Sequence, residues 1–139
     1  MAVPTRKICL IGDTGLGKTM AVRYLEGEPE ATTFSTIGTE VHPLRFYEDP
    51  PVGEVVADVW DCAGQEKFGG LRQGYYIKAV GAVRFFRGSA AEQINWIQEF
   101  LSQRPEQLVV DVQVDAPDGT LLPKSVVAAK LRAALLVFF

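Results

Sequence analysis

Eight residues near the start of the chain have the types and the spacing that phosphate binding requires. From Gly12 to Thr19 the sequence reads Gly-Asp-Thr-Gly-Leu-Gly-Lys-Thr, which fits G-x-x-x-x-G-K-[ST] between a strand-like run and a helical pattern. Glycines let such a loop wrap a phosphate, so that its amides and the following helix N-terminus direct positive charge at the anion. Lys18 adds a full charge toward the β- and γ-phosphates, and Thr19 offers a hydroxyl to Mg²⁺. The alternative is a glycine-rich turn with an incidental lysine. The residues expected to bind nucleotide here are Asp13, Thr14, Gly15, Leu16, Gly17, Lys18, Thr19 and Met20.

A second polar group follows a predicted strand in the middle of the chain. Asp61 ends this strand and is followed, after Cys62, by Ala63-Gly64-Gln65. The stretch from Trp60 to Ala79 resembles the switch II region of Ran-like members of the Ras superfamily, and its Phe-Gly-Gly-Leu-Arg-x-Gly-Tyr-Tyr string is far more specific than the phosphate loop alone. The segments Glu40–Leu44 and Asn95-Trp96 are similar to the same branch. The resemblance extends from about Lys7 to Val114 and weakens afterwards.

This resemblance implies a switch that binds GTP and GDP together with Mg²⁺. By its motifs, Asp61 would hold Mg²⁺ through a water, and Gly64 would donate its amide to the γ-phosphate. Gln65 would orient the attacking water, so Gln65 and Lys18 are the expected catalytic residues. Thr36 matches the switch I threonine that joins Mg²⁺ only when a γ-phosphate is present, although a threonine in such a loop also suits a turn. The expected metal ligands are therefore Thr19, Thr36 and Asp61.

The base-binding motif departs from the family pattern. Where Ras-like proteins carry Asn-Lys-x-Asp, this chain has Val112-Gln113-Val114-Asp115, so only the Asp115 carboxylate remains to bind guanine. Each lost hydrogen bond removes about 0.5–1.5 kcal/mol, which predicts weaker nucleotide binding and looser base selectivity. Thr14 stands where Ran-like proteins have glycine, and its side chain is expected to slow hydrolysis.

Two functions are the main candidates, and adenine-nucleotide hydrolysis is a third, less favoured one because no residue obviously binds adenine. The first is a switch with slow, Mg²⁺-dependent GTP hydrolysis, because the residues that the chemistry needs are all present. The second is a Ran mimic that binds nuclear-transport partners with little or no hydrolysis, which the altered base motif and Thr14 favour. In both cases the resemblance implies nuclear transport receptors or Ran regulators as partners, bound through the switch loops.

Length and composition limit the class of protein. The 139 residues predict a single domain over residues 1–139, and 47% hydrophobic with 22% charged residues is typical of globular proteins. A net charge of −3 without a basic stripe makes nucleic acid an unexpected partner, and no apolar run reaches the ~18 residues that a membrane-spanning helix needs. The first residues lack the apolar region of a signal peptide, and two cysteines in such a chain are usually free thiols. A cytoplasmic and/or nuclear location is therefore expected.

The hydrophobic pattern alternates between strands and helices, which predicts an α/β fold. We expect a P-loop NTPase fold with a mostly parallel sheet flanked by helices and a truncated C-terminal part. The predicted strands are Lys7–Ile11, Glu40–Tyr47, Val52–Trp60, Ala79–Phe86 and Leu108–Val114, with a hairpin joining the second and third. The predicted helices are Lys18–Leu25, Ala90–Gln103 and Ser125–Ala134, with a further short helix inside the loop Asp61–Gly74.

Two interpretations remain for the end of the chain. In the preferred one, Leu135–Phe139 is a last strand, one apolar face of the sheet is uncovered, and self-association is expected. In the other, Ser125–Phe139 is a terminal helix and the elements that normally precede it have been trimmed.

Overall fold

Strands and helices alternate along the part of the chain that the structure describes. The computed structural model describes residues 3–13, 15–27, 40–61, 72–88, 90–92 and 94–139. Within these residues the strands are β1 (Thr5–Ile11), β2 (Glu40–Tyr47), β3 (Glu54–Asp61), β4 (Gly81–Phe86) and β5 (Leu108–Gln113). The helices are α1 (Lys18–Leu25), α2 (Arg72–Tyr75), α3 (Trp96–Gln103) and α4 (Lys124–Leu136). No helix in these ranges is long and apolar enough to cross a membrane.

The strands form one sheet in the order β2-β3-β1-β4-β5. β1 pairs in parallel with β3 and with β4, and β4 pairs in parallel with β5. β2 is antiparallel to β3, as the predicted hairpin requires. This arrangement confirms the predicted α/β fold with a mostly parallel sheet flanked by helices. Because the carboxyl ends of the four parallel strands meet at one end of the sheet, the loops that follow them lie close together.

The central strand β1 is buried on both faces, which explains its continuous apolar run. Ile8 and Leu10 belong to one core cluster, and Cys9 and Ile11 belong to a second. Alternate residues of a strand point to opposite faces, so the two clusters lie on the two sides of the sheet. The first cluster contains residues of α1 and α4, and the second contains residues of α3. Helices therefore cover both faces of the strand that leads into the phosphate loop.

Several predicted element boundaries differ from the structure by a few residues, and two of the differences have a clear local reason. The helix predicted from Ala90 begins at Trp96, because the Asn95 side chain accepts a hydrogen bond from the Gln98 amide at 3.1 Å and caps it there. β3 begins at Glu54 instead of Val52, since the hairpin turn continues through Gly53, whose φ is 66°.

The end of the chain is helical, so the interpretation of Leu135–Phe139 as a strand is wrong. α4 continues to Leu136, and its buried residues Val127, Leu131 and Leu135 recur every four positions along one face. A short apolar run cannot be assigned to strand or helix by periodicity alone, and here packing decides for helix. α4 contacts α1, β4 and β5. The sheet face that was expected to be bare is therefore covered, which removes the stated reason for self-association.

The positive charge inside β4 has carboxylate partners. Two nitrogens of Arg84 each donate to a carboxylate oxygen of Asp111 on β5 at 2.9 Å. Nη1 of Arg84 donates to Glu92 at 3.3–3.4 Å, and the guanidinium lies 4.5 Å from the centroid of the Phe86 ring. The strand accommodates Arg84 because the guanidinium group is paired with these carboxylates and is not left buried alone.

Candidate functional site

The loop between β1 and α1 has a backbone that only glycine adopts easily. Gly12, Gly15 and Gly17 have φ values of 134°, 86° and 83°, in the left-handed region. At Gly12 a Cβ atom would also collide with the carbonyl of Phe85 on β4. At Gly15 and Gly17 a Cβ atom would meet nothing within 4 Å. The loop is thus held against the sheet where it begins and is open where it enters α1.

Lys18 closes this loop from within. The residue is only 3% exposed, and its Nζ donates to the carbonyl oxygens of Gly12 and Asp13 at 2.6 and 2.7 Å. These bonds keep the ammonium group against the start of the loop. A buried ammonium group beside backbone amides and a helix N-terminus is a concentrated positive charge, which suits a polyphosphate.

The side chain of Asp13 is attached to α3. Trp96, the first residue of that helix, is fully buried, and its Nε1 donates to Asp13 Oδ1 at 2.8 Å. The backbone carbonyl of Asp13 accepts from Lys18, so one loop residue is held by a tryptophan through its side chain and by a lysine through its backbone. Reasoning from residue types gave Trp96 no part in the site, and the only signal was that Asn95-Trp96 is similar to one branch of a family.

The start of α1 meets the end of β3 at a hydroxyl and a carboxylate. The Thr19 hydroxyl donates to Asp61 Oδ2, and the two residues are 6% and 0% exposed. The sheet register places Asp61 beside Leu10 of β1, close to where the phosphate loop begins. Hydroxyl and carboxylate oxygens are the donors that Mg²⁺ prefers. The two residues expected to hold the metal are therefore brought together, and their donor set fits that ion.

The residue expected to bind guanine is engaged within the protein. Asp115 is 5% exposed, and its Oδ1 accepts from the Gln113 side-chain amide at 3.0 Å and from the Gly88 backbone amide at 3.1 Å. Its backbone pairs with Leu121 in an isolated bridge. The carboxylate thus links the end of β5 to the loop after β4. Its part in base recognition remains a prediction.

An apolar cavity lies next to the phosphate loop. It measures about 190 Å³ and lies between the loop, the start of α1 and the start of α4. Its lining consists mainly of glycine and apolar residues, namely Gly15, Leu16, Gly17, Met20, Ala21, Val114, Leu121, Leu122 and Val127, with Lys124 at the helix start. Leu121 and Leu122 were not among the residues expected at the site. Their signal is an apolar pair that follows the Asp118-Gly119 turn after one residue.

The turn before this apolar pair is stabilised by Asp118. Its Oδ1 accepts from the Thr120 hydroxyl at 2.6 Å and from the Thr120 amide at 3.0 Å. These two hydrogen bonds favour the ionised form and hold the pKa of Asp118 below its ordinary value. The short connection that leads into α4 is therefore fixed by its own side chains.

Four of the expected site residues lie outside the described part of the chain. These are Thr14, Thr36, Gly64 and Gln65. The described residues bring together Asp13, Lys18 and Trp96 in one group and Thr19 with Asp61 in an adjacent one. Both groups lie at the carboxyl ends of parallel strands, where ligands bind in open α/β sheets.

The comparison with known families agrees with this geometry. Residues 7–115 match the family model described as Ras of Complex, Roc, domain of DAPkinase. The match includes the phosphate loop, Asp61 and Asp115, and it covers well over half of the chain. The match confirms the predicted relation to the Ras superfamily. GTPase domains of this family in general bind a guanine nucleotide together with Mg²⁺. The chain thus belongs to the Roc family of Ras-like GTPase domains, which are GTP-binding switches.

Proposed function

We propose that this domain is a Ran-like switch that binds GTP and GDP and hydrolyses GTP slowly with Mg²⁺. The observation that carries the proposal is the placement of Lys18, whose ammonium group is bonded to the Gly12 and Asp13 carbonyls. Lys18 directly follows the last glycine of the loop. The next residue, Thr19, donates a hydrogen bond to Asp61. A phosphate-binding group and a metal-binding pair thus adjoin each other, as phosphoryl transfer requires.

Each site residue has a distinct part in this proposal. The loop amides from Asp13 to Met20 hold the phosphates, and Lys18 balances charge on the β- and γ-phosphates. Thr19, Asp61 and Thr36 are the residues for Mg²⁺, which supplies charge neutralisation when bound. Gly64 donates its amide to the γ-phosphate, and Gln65 orients the attacking water. Thr36 would coordinate Mg²⁺ only when a γ-phosphate is present. The conformation of the segment that carries Thr36 would therefore depend on whether GTP or GDP is bound.

We further propose that base selectivity is looser than in a complete Asn-Lys-x-Asp site. Asp115 Oδ1 already accepts two hydrogen bonds from the protein, so a bound guanine would share this carboxylate with Gln113 and Gly88. The cavity beside the loop offers mainly apolar contacts, which do not distinguish guanine from adenine by hydrogen bonding. We expect a preference for guanine that is modest in size.

The alternative is a Ran mimic that binds nuclear-transport partners without hydrolysing GTP. The inward bonding of Asp115 favours it, since weak base contacts shorten the lifetime of the bound nucleotide. In either form, the proposed partners are nuclear transport receptors or Ran regulators, and the proposed location is the cytoplasm and/or the nucleus. The similarity of Glu40–Leu44 and Trp60–Ala79 to Ran-like switch regions supports these partners.

A single-turnover assay of phosphate release separates the two forms. Wild-type protein loaded with GTP and Mg²⁺ should release phosphate slowly, and Gln65→Leu should abolish the release. The control is Gln103→Leu, which makes the same change at the exposed end of α3 and should leave the rate unchanged. No phosphate release by the wild-type protein would identify the mimic, and equal release by wild-type and Gln65→Leu protein would show that Gln65 does not orient the attacking water.

A further inference from the structure

A cluster of metal-ligating side chains lies beside the Thr19–Asp61 pair and includes two residues that the proposed function does not use. Glu40 and His42 are at the start of β2, and Asp61 is at the end of β3. One ligand atom of each lies within 4.8 Å of the others. The antiparallel register pairs Glu40 directly with Asp61, and His42 is two residues along from Glu40 on the same face. The backbone of the sheet therefore fixes the cluster.

The imidazole of His42 is oriented from both sides. Its Nε2 lies 3.0 Å from Glu40 Oε2, and its Nδ1 lies 3.1–3.2 Å from the carboxylate oxygens of Glu26, just beyond α1. Histidines that bind metals usually donate their other ring N–H to a carboxylate, which leaves the metal-binding nitrogen unprotonated. Glu26 is placed to accept the hydrogen bond from that N–H. Glu26 is not one of the three clustered ligands. Its contact with His42 is therefore a feature of metal sites that is separate from the cluster itself.

The separation of His42 and Glu40 fits a tetrahedral ion. Bonds of 2.0–2.1 Å place two ligands of a tetrahedral Zn²⁺ about 3.4 Å apart. The 3.0 Å contact between His42 and Glu40 is close to this separation, and the Asp61 ligand atom lies within 4.8 Å of both. A carboxylate has lone pairs for more than one partner, so the bond from Thr19 leaves Asp61 able to bind an ion as well.

The electrostatics around the cluster also favour a cation. Glu40 and Asp61 are like charges directly opposite each other on paired strands, an arrangement that destabilises a sheet unless it is compensated. Glu26 adds a third carboxylate on the far side of His42. Arg23 faces the cluster, and its Nη2 lies 3.7 Å from Glu40 Oε1, which is a long ion pair.

We propose that Glu40, His42 and Asp61 form a second divalent-metal site, with Zn²⁺ as its ion and Glu26 as the residue that orients His42. An imidazole nitrogen with two carboxylate oxygens suits Zn²⁺, whereas Mg²⁺ prefers oxygen ligands alone. Zn²⁺ at this site ties the start of β2 to the end of β3. Because Asp61 is shared, and if the proposed function holds, Zn²⁺ and the Mg²⁺-bound nucleotide compete for the domain.

The site is tested by calorimetric titration of nucleotide-free protein with Zn²⁺, so the result does not depend on the proposed GTPase function. Wild-type protein should bind one Zn²⁺ per chain. Loss of even an orienting partner weakens a metal site by roughly 10–100-fold, so His42→Ala and Glu40→Gln should each reduce the affinity at least about tenfold. Glu106→Gln is the control, because Glu106 is exposed and distant from the cluster in sequence; it should bind as wild type does. Circular dichroism checks that every variant is folded.

Cobalt substitution identifies the donor atoms. Co²⁺ bound at the proposed site should show ligand-field bands without the charge-transfer band of a thiolate ligand, since Cys9 and Cys62 are not among the proposed donors. A thiolate band would overturn the proposal. So would a wild-type protein that takes up no Zn²⁺, or Zn²⁺ affinities of His42→Ala and Glu40→Gln within twofold of the wild-type value.

Discussion

Trp96 Nε1 and Asp13 Oδ1 are 2.8 Å apart, so a residue 83 positions along the chain holds a side chain of the phosphate loop. The same loop residue accepts the Lys18 ammonium group through its backbone carbonyl. Movement of α3 would therefore be transmitted to the loop through this partly buried hydrogen bond. This relationship makes Trp96 a positioning residue of the proposed nucleotide site.

Replacing Trp96 with phenylalanine tests this relationship. Trp96→Phe keeps a buried aromatic ring and removes the N–H donor, and hydrogen bonds to charged groups contribute about 1.5–3 kcal/mol. Because Asp13 then loses its anchor, we expect GDP affinity to fall by roughly tenfold or more, a change of about 1.4 kcal/mol per decade. Equilibrium titration with a fluorescent GDP analogue measures the effect.

The matched control for that variant is Phe100→Leu. Phe100 is buried in the same apolar cluster as Trp96, and its side chain has no N–H group to donate to the loop. The substitution should lower the midpoint of urea unfolding while leaving GDP affinity close to the wild-type value. If both variants lose stability and neither loses affinity, Trp96 is only a core residue.

Gly12→Ala tests whether the loop must lie against the sheet. A Cβ atom at this position would strike the Phe85 carbonyl, and the φ of 134° is itself unfavourable for alanine. Gly27→Ala is the control, since Gly27 has a φ of 91° and a Cβ there would meet nothing within 4 Å. A left-handed residue costs about 1–2 kcal/mol, so Gly27→Ala should lower the free energy of unfolding by that amount and Gly12→Ala by clearly more. Equal losses in urea denaturation would contradict the close approach.

Asp115→Asn separates the structural and base-binding parts of this residue. The amide oxygen can still accept from Gly88 and Gln113, so the free energy of unfolding should change by less than about 1 kcal/mol. The new NH₂ group cannot accept a hydrogen bond from the N–H groups of guanine, so GDP affinity should fall while ADP affinity stays the same. The ratio of the two dissociation constants is the readout. An unchanged ratio would mean that Asp115 does not contact the base.

Local patterns were sufficient to predict most of the sheet and the phosphate loop. The spacing of glycines before Lys18 requires a strand, a loop and a helix in that order, and α1 begins and ends as predicted. The bounds of β2 are likewise as predicted. The alternation of apolar and polar residues marks the strand, and the Pro50-Pro51 turn lies just beyond its end. These features depend on neighbouring residues, which a sequence displays directly.

Contacts between distant segments could not be predicted in the same way. The bond between Trp96 and Asp13 needs the full sheet order before the two residues meet, and the residue types alone do not indicate it. The partners of Arg84 come from β5 and from the segment before α3. Leu135 was misassigned because its helical conformation depends on the core that α4 covers, and tertiary packing overrode an apolar run that also suits a strand.

The most direct test of the account is equilibrium binding of GTP and GDP to purified, nucleotide-free protein with Mg²⁺. We expect wild-type protein to bind both nucleotides, and Lys18→Ala to weaken binding by about 100-fold, since it removes a charge-assisted contact worth about 1.5–3 kcal/mol. Lys78→Ala, at an exposed lysine, should bind as wild type does. Wild-type protein that binds neither nucleotide, or a folded Lys18→Ala variant with wild-type affinity, would contradict the account.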